Sequence, residues 1–411
     1  MVPNSKTDCD VAIVGGGLVG LTLAIALDRA GLRVVLVDAD EPAKLARDEF
    51  DGRAAAIATG SARVLQGIGV WKLIAPHAEP IRDIRVSDGD SSLFLHYDHR
   101  ELGSDPFGYI VENRFTRRAL YAALRDTGVD LRAPARATAT ANDTTQATLT
   151  LDDGSRIAAR LVVACDGRPS PLRKGAGIRA LRWDYAQAAI VCAIRHERPH
   201  DGIAHERFLP SGPFAMLPLP DGPDGSHRSS IVWTERAELA DHLIGLPDDE
   251  FADEIHERFG WGLGALAPVA QRWRYPLTFV QAERATAPRL ALAGDALHGI
   301  HPIAGQGLNL GLRDVAALAE ILADANRLGL DFGAADTLDR YARWRGVDTV
   351  GLSVVTDGLL RLFSNDIAPL KLARGLGLAL VDRIGPLKRV FMRDAMGILG
   401  KLPRLMRGEA L

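Results

Sequence analysis

Residues 10–38 carry the feature that most narrows the fold. A short β-branched run, DVAIV (10–14), leads into Gly15-x-Gly17-x-x-Gly20; a helix-patterned stretch (18–30) follows, closed by Gly31, and then a second apolar run, RVVLVD (33–38), ending on Asp38. Strand, helix and strand joined by short turns give a parallel pair with a right-handed crossover. Each glycine has its own role. The first permits a tight turn, the second lets the backbone approach a pyrophosphate, and the third lets the helix pack on the strand. The helix N-terminus then offers unpaired N–H groups and partial positive charge to phosphates. Asp38 stands 18 residues beyond Gly20, where a carboxylate can accept from ribose hydroxyls. The unit predicts dinucleotide binding through Gly15, Gly17, Gly20 and Asp38. A glycine-rich turn without a ligand is the bland alternative, and the motif alone does not choose between NAD and FAD.

Two later segments repeat the pattern of a glycine-bearing turn after a short apolar strand. Residues 166–173 read DGRPSPLR and follow the apolar 161–164; residues 294–314 read GDALHGIHPIAGQGLNLGLRD and follow the strand-like 289–293. Three such turns are expected to converge on one ligand. Around them the pattern predicts a helix over 61–75 and a strand pair over 81–97. It predicts a helix over 113–127 with Asn113 as N-cap, and two strands in 147–164 joined at Asp153-Gly154. Residues 185–235 suit an antiparallel sheet, 306–328 a helix, and 336 onward a helical region broken by Pro369, Pro386 and Pro403. No internal repeat or low-complexity tract interrupts the chain.

Composition excludes several classes. With 411 residues, 47% hydrophobic and 25% charged, the chain suits a soluble protein of two or three domains. A net charge of −3 gives no bulk attraction for nucleic acid. The three cysteines, Cys9, Cys165 and Cys192, form no C-x-x-C pair, so neither a redox disulfide nor a zinc site is expected, and no metal is. Scattered thiols suit a reducing cytoplasm. The apolar 11–27 stretch contains four glycines behind acidic Asp8 and Asp10, unlike a secretion signal, and no run of 18 charge-free apolar residues suggests a membrane span. Residues 343–411 hold 12 Lys/Arg against 6 Asp/Glu. A solvated helical surface is the default reading, and a surface for an anionic membrane is the sharper one.

The combination of GxGxxG, DGxxSxxR and GD followed by HPxxGQGxNxGxxD resembles the single-component flavoprotein aromatic hydroxylases. The last string is similar to that of the ubiquinone-biosynthesis hydroxylases, the 2-octaprenyl-6-methoxyphenol hydroxylase type. So are the surroundings of Thr356-Asp357-Gly358, Ala368-Pro369-Leu370 and Arg393-Asp394. The resemblance covers nearly the whole chain. It implies an α/β fold: a dinucleotide-binding FAD domain (1–78, 111–180, 283–345) interrupted by an antiparallel-sheet substrate domain (79–110, 181–282), with C-terminal helices (346–411).

The resemblance also implies roles. Gly15, Gly17, Gly20 and Asp38 would hold the ADP half of FAD; the family often has Glu where this chain has the shorter Asp38. Arg53 would lie near the pyrophosphate and ribityl chain, and Glu112 at a flavin-contacting position. Asp166 and Gly167 belong to a motif implicated in flavin and reduced-nicotinamide binding. Asp295 would take ribityl hydroxyls, and the loop Pro302, Gly305, Gln306, Gly307 to Asn309 would run beside the isoalloxazine. The implied reaction takes electrons from NAD(P)H, adds O2 at flavin C4a, and transfers one oxygen from the hydroperoxide to a polyprenylated phenol. Two other readings stay open: a hydroxylase of a soluble aromatic, and a non-catalytic flavin-bound scaffold of a quinone-biosynthesis complex.

Individual residues are weighed against plainer roles. His301 is a candidate base, with ordering of the loop preferred; His298 shares that loop. Trp183, Tyr185, Phe208, Phe214 and Trp233 could line an apolar pocket but as isolated aromatics read as core. By resemblance, 216–220 would face substrate. His205 and Arg207 are candidate polar groups, with solvent-facing positions preferred. In the C-terminal region, Leu359, Leu360, Leu362, Phe363 and the leucines of 372–380 are expected mostly to pack on the flavin domain. A fraction flanked by Arg374, Arg383, Lys388, Arg389 and Arg393 would meet lipid at the inner membrane; other quinone-biosynthesis proteins are a separate expected class of partner for the chain.

Overall fold

A computed structural model describes residues 8–42, 52–89, 94–269, 271–299, 306–346 and 383–411. His301, Pro302, Gly305, the Thr356 and Ala368 segments and the leucine-rich 359–381 lie outside the described residues.

The first apolar run forms the strand Cys9–Val14. It sits in the middle of a sheet ordered Thr286–Ala287, Leu290–Leu292, Arg156–Ala164, Cys9–Val14, Val34–Val37, Asp130–Arg132. Neighbours from Leu290–Leu292 to Asp130–Arg132 all run parallel. The central strands are buried on both faces, which is why their sequences are continuously apolar rather than alternating. The helices Leu18–Arg29 and Gln306–Arg327 bury long apolar stripes in the same core. The hairpin expected in 147–164 forms, with Gly154 at positive φ, and its strands Ala147–Leu151 and Arg156–Ala164 extend this sheet.

A second sheet follows the order His298–Gly299, Trp273–Ala282, Ala180–His196, His227–Arg236, Gly212–Leu219, Ile203–Leu209, Asp83–Asp88, Phe94–Asp98. It is antiparallel except where Ile203–Leu209 lies along Asp83–Asp88. Its two faces follow the two-residue period of a strand. Ile190, Cys192, Phe214, Met216 and Trp233 form the outer face and pack against the helices Ala237–Ile244 and Asp248–Phe259. Ala189, Val191, Val232 and Leu277 point the other way, with Tyr185 and Tyr275. Trp183, Tyr185 and Phe279 on that inner side meet Leu310 of the helix Gln306–Arg327. Ala54–Ala58, Gly108–Glu112 and Ala78–Ile81 form a small third sheet.

Several local expectations change. The helix over 61–75 breaks into Thr59–Gly67 and Trp71–Ile74, because Gly69 takes φ +72° and turns the chain. Asn113 is not the N-cap: it is the first residue of the helix Asn113–Leu124, and Glu112 precedes it in extended backbone without a capping side chain. Ala78–Ile81 joins the small sheet, so the strand pair over 81–97 starts at Asp83.

The first turn has no spare room at its third glycine. A Cβ on Gly20 would fall 1.8 Å from the Gly15 carbonyl oxygen. Gly20→Ala is therefore expected to cost about 3 kcal/mol through overpacking, read as a lower urea midpoint at unchanged slope.

Candidate functional site

The three glycine-bearing turns meet at one edge of the parallel sheet. Val14, Ala164 and Leu292, the last residues of their strands, are in register side by side. The ladder continues into the turns: the Cys165 N–H donates to the Val14 carbonyl at 2.7 Å and the Ala293 N–H to the Ala164 carbonyl at 3.0 Å. Gly15 crosses this line at φ +107°, and a Cβ there would lie 2.2 Å from the Cys165 carbonyl oxygen. The first and second turns are thus pressed together backbone to backbone.

The helix Leu18–Arg29 begins bare. Gly17 is its N-cap, no side chain caps it, no acid stands in its first turn, and a Cβ on Gly17 would meet nothing within 4 Å. Its leading N–H groups are an anion site of the kind that helix starts provide. At the end of Val34–Val37, Asp38 turns back onto this loop. Its Oδ2 accepts from the Gly16 N–H and its Oδ1 from the Asp40 N–H at 2.7 Å. Nearby, Pro42, Tyr121, Leu124, Val129 and Leu131 line a cleft of about 360 Å³. Burial, with Asp38 adding, pushes the Tyr121 hydroxyl up to about 12.

The second turn is held from within. Asp166 accepts from the Ser170 hydroxyl at 2.6 Å and the Leu172 N–H at 3.2 Å, and burial raises its carboxyl above the usual range despite these donors. Both oxygens thus brace the turn, while Gly167, at φ +79°, has no close neighbour but Pro169. Arg173, almost fully buried, ties this turn to the third by donating to the Ala296 carbonyl at 2.7 Å and the Arg168 carbonyl at 2.9 Å. Arg168 reaches Asp295 at 3.1 Å and the Thr278 side chain at 3.1 Å. A groove of about 500 Å³ beside it is lined by five cationic side chains, Arg168, Arg173, Lys174, Arg179 and Arg182.

The third turn is locked by Asp314. Its Oδ2 accepts from the Gly294 N–H at 2.9 Å and lies 2.8 Å from His298 Nε2; its Oδ1 lies 2.6 Å from Arg345 Nε. All of these side chains are buried. Burial alone would raise Asp314, yet His298 and Arg345 beside it hold its carboxyl below the usual carboxylate range. His298 therefore orders the turn, and His298–Gly299 pairs with Trp273–Ala282, so the turn ends inside the second sheet.

Arg53, Glu112 and Asn309 gather at the small sheet. The Asn113 N–H donates to the Arg53 carbonyl at 2.9 Å, Ala54 pairs with Glu112, and the Arg53 guanidinium lies over the Tyr275 ring. Glu112 is buried between Arg114 at 2.6 Å and Arg228 at 3.4 Å. Asn309 accepts from the Ala58 N–H at 2.9 Å and donates to the Ala56 carbonyl at 2.8 Å. Its amide docks the start of Gln306–Arg327 on the strand Ala54–Ala58. Gln306 and Gly307 open that helix, and a Cβ on Gly307 would meet nothing within 4 Å.

Trp183 and Tyr185 are on the inner face beside Leu310, whereas Phe214 and Trp233 are outer core. Phe208 is buried as well. In 216–220, Met216 belongs to the outer core, and Leu217 and Leu219 face inward. His205 and Arg207 are half-buried rather than solvent-facing, because the end of the helix Asp248–Phe259 packs against them. His205 packs edge-on against Phe259, and burial, then Arg85 and Arg207, pushes it down to about 4. Arg207 donates to the Arg258 carbonyl at 2.6 Å. Arg228 and Arg345 went unnoticed in the sequence because each is one more arginine outside any motif.

A family model described as an FAD binding domain matches residues 8–346. The chain is 52% identical to ubiquinone hydroxylase UbiL of Rhodospirillum rubrum, over 98% of this chain and 93% of that protein. It is 35% identical to 3-demethoxyubiquinol 3-hydroxylase of Escherichia coli, over 95% of this chain and 98% of that one. Its fold is similar to that of p-nitrophenol 4-monooxygenase PnpA from Pseudomonas putida, with a TM-score of 0.77, 20% identity, and coverage of 95% of this chain and 98% of that one.

Asp314→Asn is expected to lose about 3 to 5 kcal/mol, since it leaves the buried Arg345 guanidinium without its counter-ion. Because the folded carboxyl sits below its unfolded value, its contribution is present above about pH 4 and lost as pH falls further. Acid unfolding curves should be steeper in the unmodified protein than in the variant.

Proposed function

The chain belongs to the family built on this FAD-binding domain, and from that premise we propose that it is an FAD-dependent hydroxylase of ubiquinone biosynthesis acting on the ring of a polyprenylated phenol. The observation that carries the reading is the meeting of three turns at one sheet edge, the first of them opening a bare helix. The residues fit the cofactor. The uncapped, open start at Gly17 suits a pyrophosphate, with Gly15 and Gly20 allowing the approach. Asp38 would serve the ribose, and the cleft at Tyr121 and Leu131 would offer a flat base an apolar slot. Arg53 and the exposed face of Asp295 would serve the chain between pyrophosphate and ring. Asp166, Glu112 and Asn309 serve from behind, fixing the backbone that makes the contacts. The helix start at Gln306 and Gly307 would offer N–H donors and its positive end to negative charge on a reduced ring.

Bound FAD supplies redox chemistry, taking electrons from reduced nicotinamide and activating O2 for insertion of one oxygen atom into an aromatic ring. The chain provides the rest. The cationic groove at Lys174 and Arg182 suits the phosphates of the NAD(P)H donor. Val191, Val232 and Leu277 on the inner sheet face suit an apolar ring and tail.

A polyprenyl tail partitions into lipid, so access to a membrane surface follows from the substrate. The helix Gly385–Ala395 supports such a surface. Leu387, Val390 and Phe391 are exposed by 39%, 45% and 39%, beside Arg389 and Arg393, while Met392 packs inward. Lys388 does not belong to that surface, because it pairs with Glu101 at 2.8 Å. Among the described residues no helix is long and apolar enough to cross a membrane.

Purified protein is expected to be yellow, to release FAD on denaturation, and to place one atom of 18O2 in a prenylphenol when given NAD(P)H. Colourless protein that cannot be reconstituted with FAD would overturn the reading. Leu387→Glu combined with Phe391→Glu is expected to abolish cosedimentation with anionic vesicles while leaving bound FAD unchanged.

A further inference from the structure

On the inner face of the second sheet one acid stands alone. Glu206 lies midway along Ile203–Leu209, directly opposite Ala215 on one side and Val86 on the other. The same cross-strand row continues through Val232 and Val191. Because successive residues alternate, Glu206 faces inward while its neighbours His205 and Arg207 face the outer helices. Among the described residues it has no hydrogen bond or ion pair. Solvent reaches part of it, yet the surrounding apolar atoms strip bulk hydration from its carboxylate.

A partnerless acid in an apolar row has no structural purpose, since a neutral residue would pack there at lower cost. We propose that Glu206 is the proton acceptor for the ring hydroxyl of the phenolic substrate. The proposal rests on the hydroxylase reading and adds a catalytic residue to it. The phenol O–H bond breaks, the proton passes to the Glu206 carboxylate, and the electron pair stays on oxygen as phenolate. That charge enters the ring and makes its carbons better acceptors of the electrophilic oxygen that O2 and reduced FAD supply. Once the oxygen is transferred, the proton returns to the product oxygen or leaves to solvent, so Glu206 ends as it began.

The environment suits this task. Burial pushes the Glu206 carboxyl up to about 7, and no neighbouring charge contributes. Ala215, Pro213, Leu217, Val232 and Val191 on the adjoining strands are uncharged, and Asp88, two residues along from Val86 on the same face, is the nearest acid by register. A base with a value near the working pH combines a useful ionised fraction with useful basicity.

The test uses the FAD-loaded protein with 2-prenylphenol, NAD(P)H and O2. In the unmodified protein the hydroxylated product formed per nicotinamide oxidised should rise with pH through about 7, as the base ionises. Glu206→Gln should keep its flavin spectrum and its rate of flavin reduction, lose about 100-fold in ring hydroxylation, and lose the pH dependence. Glu206→Asp should retain the rise. Unchanged coupling and pH profile in Glu206→Gln overturns the proposal, as does a flat profile in the unmodified protein between about pH 6 and 8. The second result stands whether or not the variant folds. If the unmodified holoprotein hydroxylates nothing, the hydroxylase reading fails, and infrared difference spectra then judge Glu206 separately. A neutral-carboxyl band that titrates near pH 7, responds to 2-prenylphenol and is missing from Glu206→Gln supports its contact with the phenol; a band that ignores the phenol overturns it.

Discussion

One buried carboxylate keeps the third turn in place. Asp314 sits on the inward side of Gln306–Arg327 and holds the backbone N–H of Gly294, the ring of His298 and the guanidinium of Arg345. Gly294 begins the third turn, His298 ends it, and Arg345 lies at the close of the 335–346 helical segment. One side chain thus fixes both ends of the turn to the helix that follows it. Burying such a set is expensive in hydration, so its value lies in specifying one arrangement of backbone rather than in net stability.

The same turn couples the two sheets. Ala293 continues the parallel ladder, and His298–Gly299 five residues later pairs with Trp273–Ala282 of the second sheet. Arg168 strengthens the seam by holding Asp295 on one side and Thr278 on the other. The edge where the turns meet and the inner face of the second sheet are therefore set relative to each other by one short run of chain. Asn309 adds a third anchor by fixing the helix start to Ala54–Ala58, whose partner strand ends in Glu112. Most of the charged motif residues work on protein backbone, and the helix start at Gly17 is left with uncapped N–H groups.

Legibility in the sequence followed how local each signal was. The strand Cys9–Val14, its glycines and the helix behind them were plain, because turn chemistry and periodicity act over a few residues. Convergence of the three turns was inferable from repetition of the pattern, and the parallel register of Val14, Ala164 and Leu292 provides it. Asp166 and Asn309 were picked out by motif, yet the sequence could not say that their side chains face the protein, since their partners lie on other elements. Asn113 failed as a cap because sheet pairing of Glu112 with Ala54 set where the strand stopped, overriding a local preference. The helices Ala237–Ile244 and Asp248–Phe259 went unassigned, and with them the reason His205 and Arg207 are covered. Without them the sheet has no outer side, and alternation alone cannot tell which face looks toward the site.

That last point bears on the substrate side. Along Ile203–Leu209 three consecutive residues, His205, Glu206 and Arg207, are all ionisable, and a reading by composition would take them as a solvated strand. Packing separates them. The two basic residues go to the outer face, where Phe259 and the Arg258 carbonyl receive them. The acid goes to a face of Ala215, Val232 and Val191 that gives it no partner. A chain selected for stability alone would leave that position neutral. Two other acids near this face are matched: Glu112 has Arg114 and Arg228, and Asp295 has Arg168. Glu206 has no such cation among the described residues, and the partner we propose for it is a proton donor that arrives with the substrate.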